Sequence, residues 1–266
     1  HRDLHSFPTR RSSDLADLLV AVGGDGTVSE VASGLLLAGA PARLAILPLG
    51  TANDLANQLG IRTVGGAIDL IADGQSRTID AIEVRCPQDR STSVRYALSF
   101  VSLGFAGEVL RRTTPAIKRW CGPRWCYSIG FLRALAGFHP PNVRLRADQA
   151  AFHGRWLHIC AGNFEWAGGG VMRLSPGAHC DDGLFDVCLI EAMSRLAIAW
   201  HSPKLLGGSF VTHPRARYFR GAQLDLETEA PAPIEIDGDT ACRTPARLTI
   251  RPRCLPVLAP SGAAAP

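Results

Sequence analysis

Two short segments near the start of the chain hold residues suited to phosphate chemistry. The first is Gly23-Gly24-Asp25-Gly26-Thr27 and the second is Gly50-Thr51. Glycine lets phosphate oxygens approach the main chain, whereas a carboxylate such as Asp25 repels phosphate unless a divalent cation lies between the two groups. A nucleotide bound together with Mg²⁺ explains this combination of residues.

The segments that must position these residues form two successive units of the same kind. Each loop follows an apolar run, Ala16 to Val22 for the first and Ala42 to Leu49 for the second. Such runs are typical of buried strands, and consecutive units of strand, loop and helix favour a parallel sheet. The two helices are predicted from apolar residues at helical spacing: Val28, Val31, Ala32, Leu35 and Leu36, and then Ala52, Leu55, Ala56 and Leu59.

Both predicted helices begin with a capping pattern. Thr27 and Glu30 form a Thr-x-x-Glu capping box, and Thr51 and Asp54 form its Thr-x-x-Asp counterpart. Two helix N-termini are then expected at the carboxyl edge of one sheet, where free N–H groups favour an anion. The alternative is that these residues are only caps and that the glycines only form turns.

Five further motifs follow, and with them the chain can be compared with known families. Together with the two loops they resemble the catalytic domain of the diacylglycerol, sphingosine and ceramide kinases, and most of all the soluble bacterial lipid kinases. The resemblance runs from about Ala16 to Val257, and ordered motifs are far more specific than one glycine-rich loop. The later motifs are Ser102 to Gly107, Gly162-Asn163, Gly168-Gly169-Gly170, Pro176 to Val187, and Ile236-Asp237-Gly238-Asp239.

The resemblance implies an α/β protein with two domains. An N-terminal parallel-sheet nucleotide-binding domain, of the kind shared by NAD kinases and diacylglycerol kinases, is followed by an antiparallel β-sandwich-like domain. Period-two alternation from Ile79 onward, as in Ile82, Val84 and Cys86, agrees with antiparallel strands. Helical patterns interrupt them at Arg124 to Phe138 and at Ser194 to Leu206. We predict a foreign or disordered segment at 1–15, the α/β domain at 16–78, the β-rich domain at 79–258 and a disordered tail at 259–266.

The same resemblance assigns roles to the glycine loops. It implies that ATP is the phosphoryl donor and that Asp25 and Asp54 orient Mg²⁺ near its phosphates. Phosphoryl transfer depends on such positioning and charge neutralisation. The residues expected to hold the nucleotide are Gly23, Gly24, Asp25, Gly26, Thr27, Val28, Ser29, Gly50 and Thr51.

A general base is expected late in the chain. The family has an Asp-Gly-Glu segment whose Glu accepts the proton, and Asp239 stands at that position here, one methylene shorter. A displaced base costs rate, so the substitution puts efficient turnover in doubt. The alternative is that Asp237-Gly238 is simply a turn between two strands.

A second Mg²⁺ is implied at the Asp181-Asp182-Gly183 segment. In the bacterial lipid kinases this segment holds a structural cation, and the ligands carry over to Asp182, His179 and Leu184, the last two through main-chain oxygens. Hard oxygen ligands suit Mg²⁺. The imidazole of His179 is expected to be exposed.

Composition restricts the classes of partner. The chain has 266 residues, a formal charge of +4 and scattered basic residues, which does not indicate nucleic-acid binding. The eight cysteines lack zinc-ligand spacing, and we interpret them as reduced thiols of a cytoplasmic protein.

No membrane-spanning run or signal sequence is seen, so any contact with the inner face of the membrane is expected to be peripheral. The basic and aromatic segment Pro115 to Phe138 suits such a surface, or else is an ordinary amphipathic helix.

Residues 1 to 15, HRDLHSFPTRRSSDL, show neither helical nor strand periodicity. We interpret them as foreign sequence standing where relatives have a strand and a loop. An open sheet edge, aggregation and weak ATP binding are then expected.

The function predicted is ATP-dependent phosphorylation of a lipid hydroxyl, most simply that of diacylglycerol or a related lipid. Two alternatives stay open at this point: an NAD or sugar kinase that shares only the glycine loop, and a catalytically impaired lipid-binding or regulatory relative. The sequence names neither the lipid nor the oligomeric state.

Overall fold

Two parallel strands and their helices form the first part of the described chain. The computed structural model describes residues 17–88, 91–113, 128–148, 150–206 and 209–260. β1 and β2 pair in parallel, with Gly23 opposite Pro48. The predicted units of strand, loop and helix are confirmed. Their bounds are β1 (Leu18–Gly23), α1 (Asp25–Ala38), β2 (Arg43–Pro48) and α2 (Asp54–Gln58), followed by α3 (Val64–Asp73).

The predicted capping boxes are wrong. Helix α1 begins at Asp25 with Gly24 as its N-cap, so Thr27 lies within the first turn. Helix α2 begins at Asp54, and its N-cap is Asn53, which has the left-handed conformation with φ of 50°. Neither helix has a side-chain cap hydrogen bond. The Thr-x-x-Glu pattern failed because the glycine loop turns directly into the helix.

A β-rich domain follows, and its antiparallel strands form two sheets that share β7. One sheet joins β3, β4, β6, β7, β12 and β15, and the other joins β5, β7, β10, β11, β13 and β14. Apolar side chains from both sheets form one core, which confirms the predicted sandwich. The bounds are β3 (Ser76–Gln88), β4 (Ser91–Ala97), β5 (Phe100–Gly104), β6 (Asn142–Ala147), β7 (Ala151–Gly162), β8 (Trp166–Ala167), β9 (Met172–Arg173), β10 (Phe185–Glu191), β11 (Ala216–Gly221), β12 (Gln223–Thr228), β13 (Pro233–Ile236), β14 (Asp239–Arg243) and β15 (Ala246–Leu258).

Helices cover one face of the β-rich domain. They are α4 (Phe105–Arg112), α5 (residues 128–137) and α6 (Arg195–Leu206), and a 3-10 turn at Ser209–Thr212 follows α6. Phe105 contacts Phe131 and Phe138 edge to face, each with a ring separation of 5.5 Å. The helical pattern predicted at Ser194 to Leu206 is confirmed. Of the one predicted at Arg124 to Phe138, the part before residue 128 lies outside the described residues, as do residues 1–15 and 261–266.

Strand β15 links the two domains. Its first half pairs with β12 and β3 in the sandwich, and Val257 near its end pairs in parallel with Leu44 of β2. Leu255 and Val257 lie in the same apolar core as Leu44 and Ile46. The end of strand β15 therefore completes the core of the N-terminal domain.

The interpretation of every cysteine as a reduced thiol is wrong for one pair. Cys86 of β3 and Cys242 of β14 form a disulfide, with their Cα atoms 6.3 Å apart. The other described cysteines, Cys160, Cys180, Cys188 and Cys254, are free thiols. Sequence spacing misses the pair because its members are 156 residues apart.

Within the described ranges, no helix is both long and apolar enough to cross a membrane.

Candidate active site

The two glycine loops touch each other at the carboxyl edge of the parallel strands. A Cβ atom built on Gly50 would overlap the Cα of Gly24, so two main chains approach where any side chain would obstruct them. The main-chain N–H of Leu49 donates to the carbonyl of Gly23 at 3.0 Å. The N-termini of α1 and α2 therefore lie side by side, as the sequence predicts.

Asn53 holds the second loop in shape. Its side-chain Oδ1 accepts from the N–H of Gly50 at 2.9 Å, and its Nδ2 donates to the carbonyl of Gly50, also at 2.9 Å. Asparagine tolerates the left-handed backbone conformation that this N-cap position requires. Thr51, which we predicted as a cap and nucleotide ligand, is exposed at this loop.

Asp25 connects the two helix starts. Its Oδ1 accepts from the N–H of Leu55, the second residue of α2, at 3.0 Å. The carboxylate thus accepts a hydrogen bond from one of the N–H groups that the start of a helix leaves unpaired. Gly26 and Thr27, further along the first turn of α1, are exposed.

Asp54 binds the glycine triplet of the β-rich domain. Its carboxylate accepts from the N–H of Gly169 at 2.8 and 2.9 Å and from the N–H of Gly170 at 2.9 Å. Gln58, one turn later, exchanges two hydrogen bonds of 2.8 Å with the main chain of Trp166. Helix α2 therefore holds the β8–β9 hairpin, which belongs to the second domain, against the N-terminal α/β domain.

The two carboxylates at this edge repel each other. Burial raises the pKa of Asp54 above its ordinary value, and the negative charge of Asp25 raises it further, while the hydrogen bonds from Gly169 and Gly170 lower it. A cation between the two groups would relieve this repulsion. Asp25 and Asp54 are therefore the two carboxylates that a cation at this edge could contact.

Asp237 joins helix α1 to the β-rich domain. Its carboxylate accepts from the hydroxyl of Ser29 at 2.8 Å and from the main-chain N–H groups of Leu98, Ser99 and Phe100 at 2.8 to 2.9 Å. Burial raises the pKa of this carboxyl, and these hydrogen bonds oppose the rise. Ser29, predicted as a nucleotide residue, is thus a contact between the domains.

Asp239 follows Asp237 across a tight hairpin turn. Asp237 and Gly238 have φ of 46° and 93°, and Ile236 pairs with Asp239 across the turn. Two positive φ values are typical of the two-residue hairpin loops that suit Asp-Gly. The turn is confirmed, and Asp239 itself is exposed beside it. The charges of Asp237 and Asp239 both raise the pKa of Glu235, after burial as the main cause.

The second predicted Mg²⁺ site has a different arrangement from the one implied. One carboxylate oxygen of Asp182 accepts from the N–H of Leu184 at 3.0 Å, and the other forms an ion pair with Arg220. Arg220 also contacts Asp186 at 3.4 Å. A cation held by Asp182, His179 and Leu184 would have to displace this guanidinium, and the three residues stay predicted Mg²⁺ ligands. His179 is exposed as expected.

A wider acidic cluster surrounds this loop. Asp80, in β3, accepts from the N–H of Gly183 at 2.7 Å and from the N–H of Arg253 at 2.6 Å. Burial raises the pKa of Asp80, and the charges of Asp181 and Asp182 add to the rise. Across the described ranges, no group of three or more His, Cys, Asp or Glu side chains has the geometry to hold a metal ion.

Sequence reasoning missed two kinds of contact: those that join the domains and those that hold strands together within the β-rich domain. Asn163 donates to the carbonyls of Asp80 and Leu98 at 2.9 and 3.1 Å, and Gln58 and Asp237 form the contacts described above. Asn163 and Asp237 lie within motifs that carry the family resemblance, and this was the sequence signal that could have identified them. Gln58 and Asp80 carried no signal beyond a polar side chain in an apolar segment.

Comparison with known proteins finds family matches for both domains. The model of the diacylglycerol kinase catalytic domain matches residues 3–84, and that of the YegS C-terminal NAD kinase beta sandwich-like domain matches residues 99–259. A Pseudomonas fluorescens protein named "Probable lipid kinase YegS-like" is 33% identical, over 91% of this chain and 77% of that protein.

A Staphylococcus aureus protein named diacylglycerol kinase is 28% identical, over 92% of this chain and 75% of its own length. The crystal structure of a diacylglycerol kinase from Bacillus anthracis superimposes with a TM-score of 0.67, covering 93% of this chain and 78% of that one. At 20% identity this last similarity concerns the fold alone.

These comparisons define a class of protein, the kinases that join an α/β domain to a β-sandwich. Within that class, the chain belongs to the diacylglycerol kinase and YegS-like family of lipid kinases.

Proposed function

We propose that this protein transfers the γ-phosphoryl group of ATP to the hydroxyl of a lipid, diacylglycerol or a close relative of it. One observation carries the proposal. The hydrogen bond between Ser29 and Asp237 brings the turn that bears Asp239 against the helix that begins at the first glycine loop. This contact holds the Asp237–Asp239 turn near helix α1, which supports a role for the Asp239 carboxylate beside the proposed phosphate site.

The glycine loops account for the nucleotide part of the reaction. Main-chain N–H groups at the starts of α1 and α2 are suited to the phosphate oxygens, and the lack of side chains at Gly24 and Gly50 keeps the approach open. Asp25 and Asp54 would hold Mg²⁺, which when bound neutralises charge on the phosphates. The loops thus account for the positioning of the donor phosphates at this edge of the sheet.

Asp239 accounts for the part of the reaction that takes place at the lipid hydroxyl. Its carboxylate would accept the proton as the lipid hydroxyl oxygen bonds to the γ-phosphorus and the bond to the leaving ADP breaks. Asp237 and the Ser29 contact position the turn and do not take part in proton transfer. Support for a lipid acceptor comes from the named activities of the relatives, and the choice of lipid belongs to the proposal.

A panel of acceptors tests this assignment. The purified protein is given radiolabelled ATP and Mg²⁺ with diacylglycerol, phosphatidylglycerol, sphingosine, a polyprenol or NAD, and the products are separated by thin-layer chromatography. We expect labelled phosphatidic acid from diacylglycerol. Labelled NADP without labelled lipid would overturn the proposal, and ATP binding without any product would indicate the catalytically impaired relative.

Two variants make the assay specific. Asp25→Asn keeps an oxygen for the N–H of Leu55 but removes the charge, so we expect loss of phosphorylation with little change in melting temperature. Asp69→Asn, an exposed change on α3, is the matched control and leaves the rate unchanged.

A further inference from the structure

Helix α6 presents two large apolar side chains to solvent. Leu196 is 84% exposed and Trp200 is 79% exposed, and both are among the most exposed large hydrophobic residues described. They are four residues apart and therefore lie on one face of the helix. Ile198, on the opposite face, is buried in the core beneath the helices. The face of α6 that carries Leu196 and Trp200 is therefore apolar and exposed to solvent.

The charged side chains of helix α6 have one sign. Arg195 begins the helix, Lys204 lies one turn beyond Trp200, and both are exposed. Arg195–Leu206 contains no Asp or Glu. Desolvation lowers the pKa of the nearby His213, and electrostatic interaction with His201, Lys204 and Arg215 lowers it further. Helix α6 thus carries only positively charged side chains, which complement an anionic surface.

Aromatic contacts hold the helix in place. The ring of His201 lies 4.5 Å from that of His213, which stacks on Phe210 at 4.4 Å. Phe210 lies in the core beneath the helices, so these contacts fasten α6 to the domain. The outward face thus has a defined orientation and is presented by a helix that is packed on its other side.

The helix also lies next to the candidate active site. It packs against β9, the strand that follows the glycine triplet bound by Asp54. Val171, between that triplet and β9, is 45% exposed. An occupant of the α6 face would therefore lie close to the loop that contacts the nucleotide-binding domain.

We propose that the face formed by Leu196 and Trp200 docks on an anionic phospholipid bilayer. Trp200 lies at the level of the headgroups, Leu196 inserts beside it, and Arg195 and Lys204 contact lipid phosphates. Exposed Trp and Leu flanked by cations are typical of helices that lie in a membrane interface. The inference rests on the proposed function in one respect, since it places the lipid acceptor beside the site.

Vesicle flotation tests the surface directly. The protein is mixed with vesicles of phosphatidylcholine alone or of equal parts phosphatidylcholine and phosphatidylglycerol. We expect binding to the anionic vesicles that weakens about tenfold or more in the double variant Leu196→Ser, Trp200→Ser. The matched control, Leu37→Ser with Ile68→Ser, removes two other exposed apolar side chains and keeps full binding. Equal binding of the parent and the α6 double variant would overturn the inference.

The other occupants are distinguished in the same series. Equal binding of the parent to neutral and anionic vesicles would contradict the role of Arg195 and Lys204. If the parent floats with neither vesicle but forms a dimer in sedimentation that the α6 double variant does not form, the face binds a second copy and the inference is wrong.

Kinase assays separate the inference from the proposed function. The α6 double variant should phosphorylate dispersed short-chain diacylglycerol at the parental rate and lose turnover on vesicles. If no form phosphorylates any lipid while vesicle binding still requires Leu196 and Trp200, the proposed function fails and the docking surface stands. If the lipid is phosphorylated and the variant binds vesicles like the parent, the proposed function stands and the docking surface is wrong.

Discussion

At the scale of single residues, the acidic groups of the candidate site have structural contacts in addition to charge. Asp25 accepts a hydrogen bond from the start of α2, and Asp54 accepts hydrogen bonds from two glycines of the other domain. Such contacts fix the orientation of a carboxylate before a ligand arrives, which favours positioning of charge. Each carboxylate therefore contributes both a negative charge and hydrogen bonds that hold the structure. The effect of the charge must be tested with substitutions that keep the size and shape of the side chain.

Asp239 provides a test at this scale. Asp239→Asn should lower turnover by about 10² to 10⁴ fold, the usual contribution of a general base, and leave ATP binding unchanged. Asp239→Glu should retain or raise the rate by restoring the longer side chain of the relatives. Steady-state kinetics and calorimetric ATP titration measure both effects. Equal turnover in Asp239→Asn and the parent would exclude Asp239 as the base.

Asp237 should contribute mainly to stability. Asp237→Asn replaces an oxygen that accepts N–H groups with an amide that donates, so we expect a loss of about 2 to 4 kcal/mol in the free energy of unfolding. Urea denaturation measures it. Glu227→Gln, which breaks the exposed ion pair with Arg144, is the control and should change stability by less than about 0.5 kcal/mol. Similar losses in the two variants would contradict the bridging role of Asp237.

At the scale of elements, the contact between the two glycine loops depends on the absence of side chains. Gly50→Ala would force the loop away from Gly24 and from Asn53, so we expect about 1 to 3 kcal/mol of destabilisation together with weaker ATP binding. Gly34→Ala in α1 meets open space and removes a flexible residue from a helix interior, which should stabilise by about 0.5 to 1 kcal/mol. Chemical denaturation and ATP titration of both variants test this, and unchanged ATP binding in Gly50→Ala would contradict it.

The loop that contains Asp182 makes a prediction about metal removal. Because Arg220 neutralises Asp182 and Asp186, we expect chelation with EDTA to leave the melting temperature of the parent unchanged. Arg220→Gln should destabilise by about 1 kcal/mol and should regain stability when Mg²⁺ is added. Arg217→Gln, which loses a separate pair with Glu191, is the control and should not respond to Mg²⁺. A parent whose melting temperature falls in EDTA would show that a cation holds this loop.

At the scale of the whole molecule, the two domains share their structural elements. Strand β15 lies in the sandwich and ends in the parallel sheet, and β3 runs across the boundary that we predict after residue 78. The contacts of Asp54, Gln58 and Asp237 add polar links between the domains. We therefore expect the domains to unfold together, because separating them would expose part of each core.

The buried His158 should make global stability depend on pH. Burial lowers its pKa from the ordinary 6.5 to about 4. Between these two pH values the unfolded chain therefore binds a proton at this histidine and the folded chain does not. Stability should fall as pH decreases from about 6.5 toward 4, by about 3 kcal/mol in total for this group.

Urea denaturation between pH 7 and pH 4 measures this dependence. His158→Leu should remove that part of it, whereas His153→Gln, an exposed change on the same strand, should keep it. The same slope in His158→Leu and the parent would contradict the prediction.

The features that sequence alone determined are those governed by local pattern. Apolar runs before the glycine loops specified β1 and β2, and period-two alternation specified the sandwich strands, because burial of one face selects the period. The paired loops followed, because parallel strands end at the same edge of a sheet. The base position and the nucleotide residues came from family resemblance, and their roles stay predictions.

Only the tertiary structure decided how these parts are joined. Ser29 and Asp237 are 208 residues apart in sequence, and Asp54 and Gly169 are 115 apart. The spacing of residues within a short segment therefore cannot predict either contact. The helix starts shifted because loop geometry overrode the capping pattern, and Arg220 reached Asp182 through the pairing of β10 with β11. Side-chain partners of this kind are selected by packing of distant segments, which the amino-acid pattern along the chain does not encode locally.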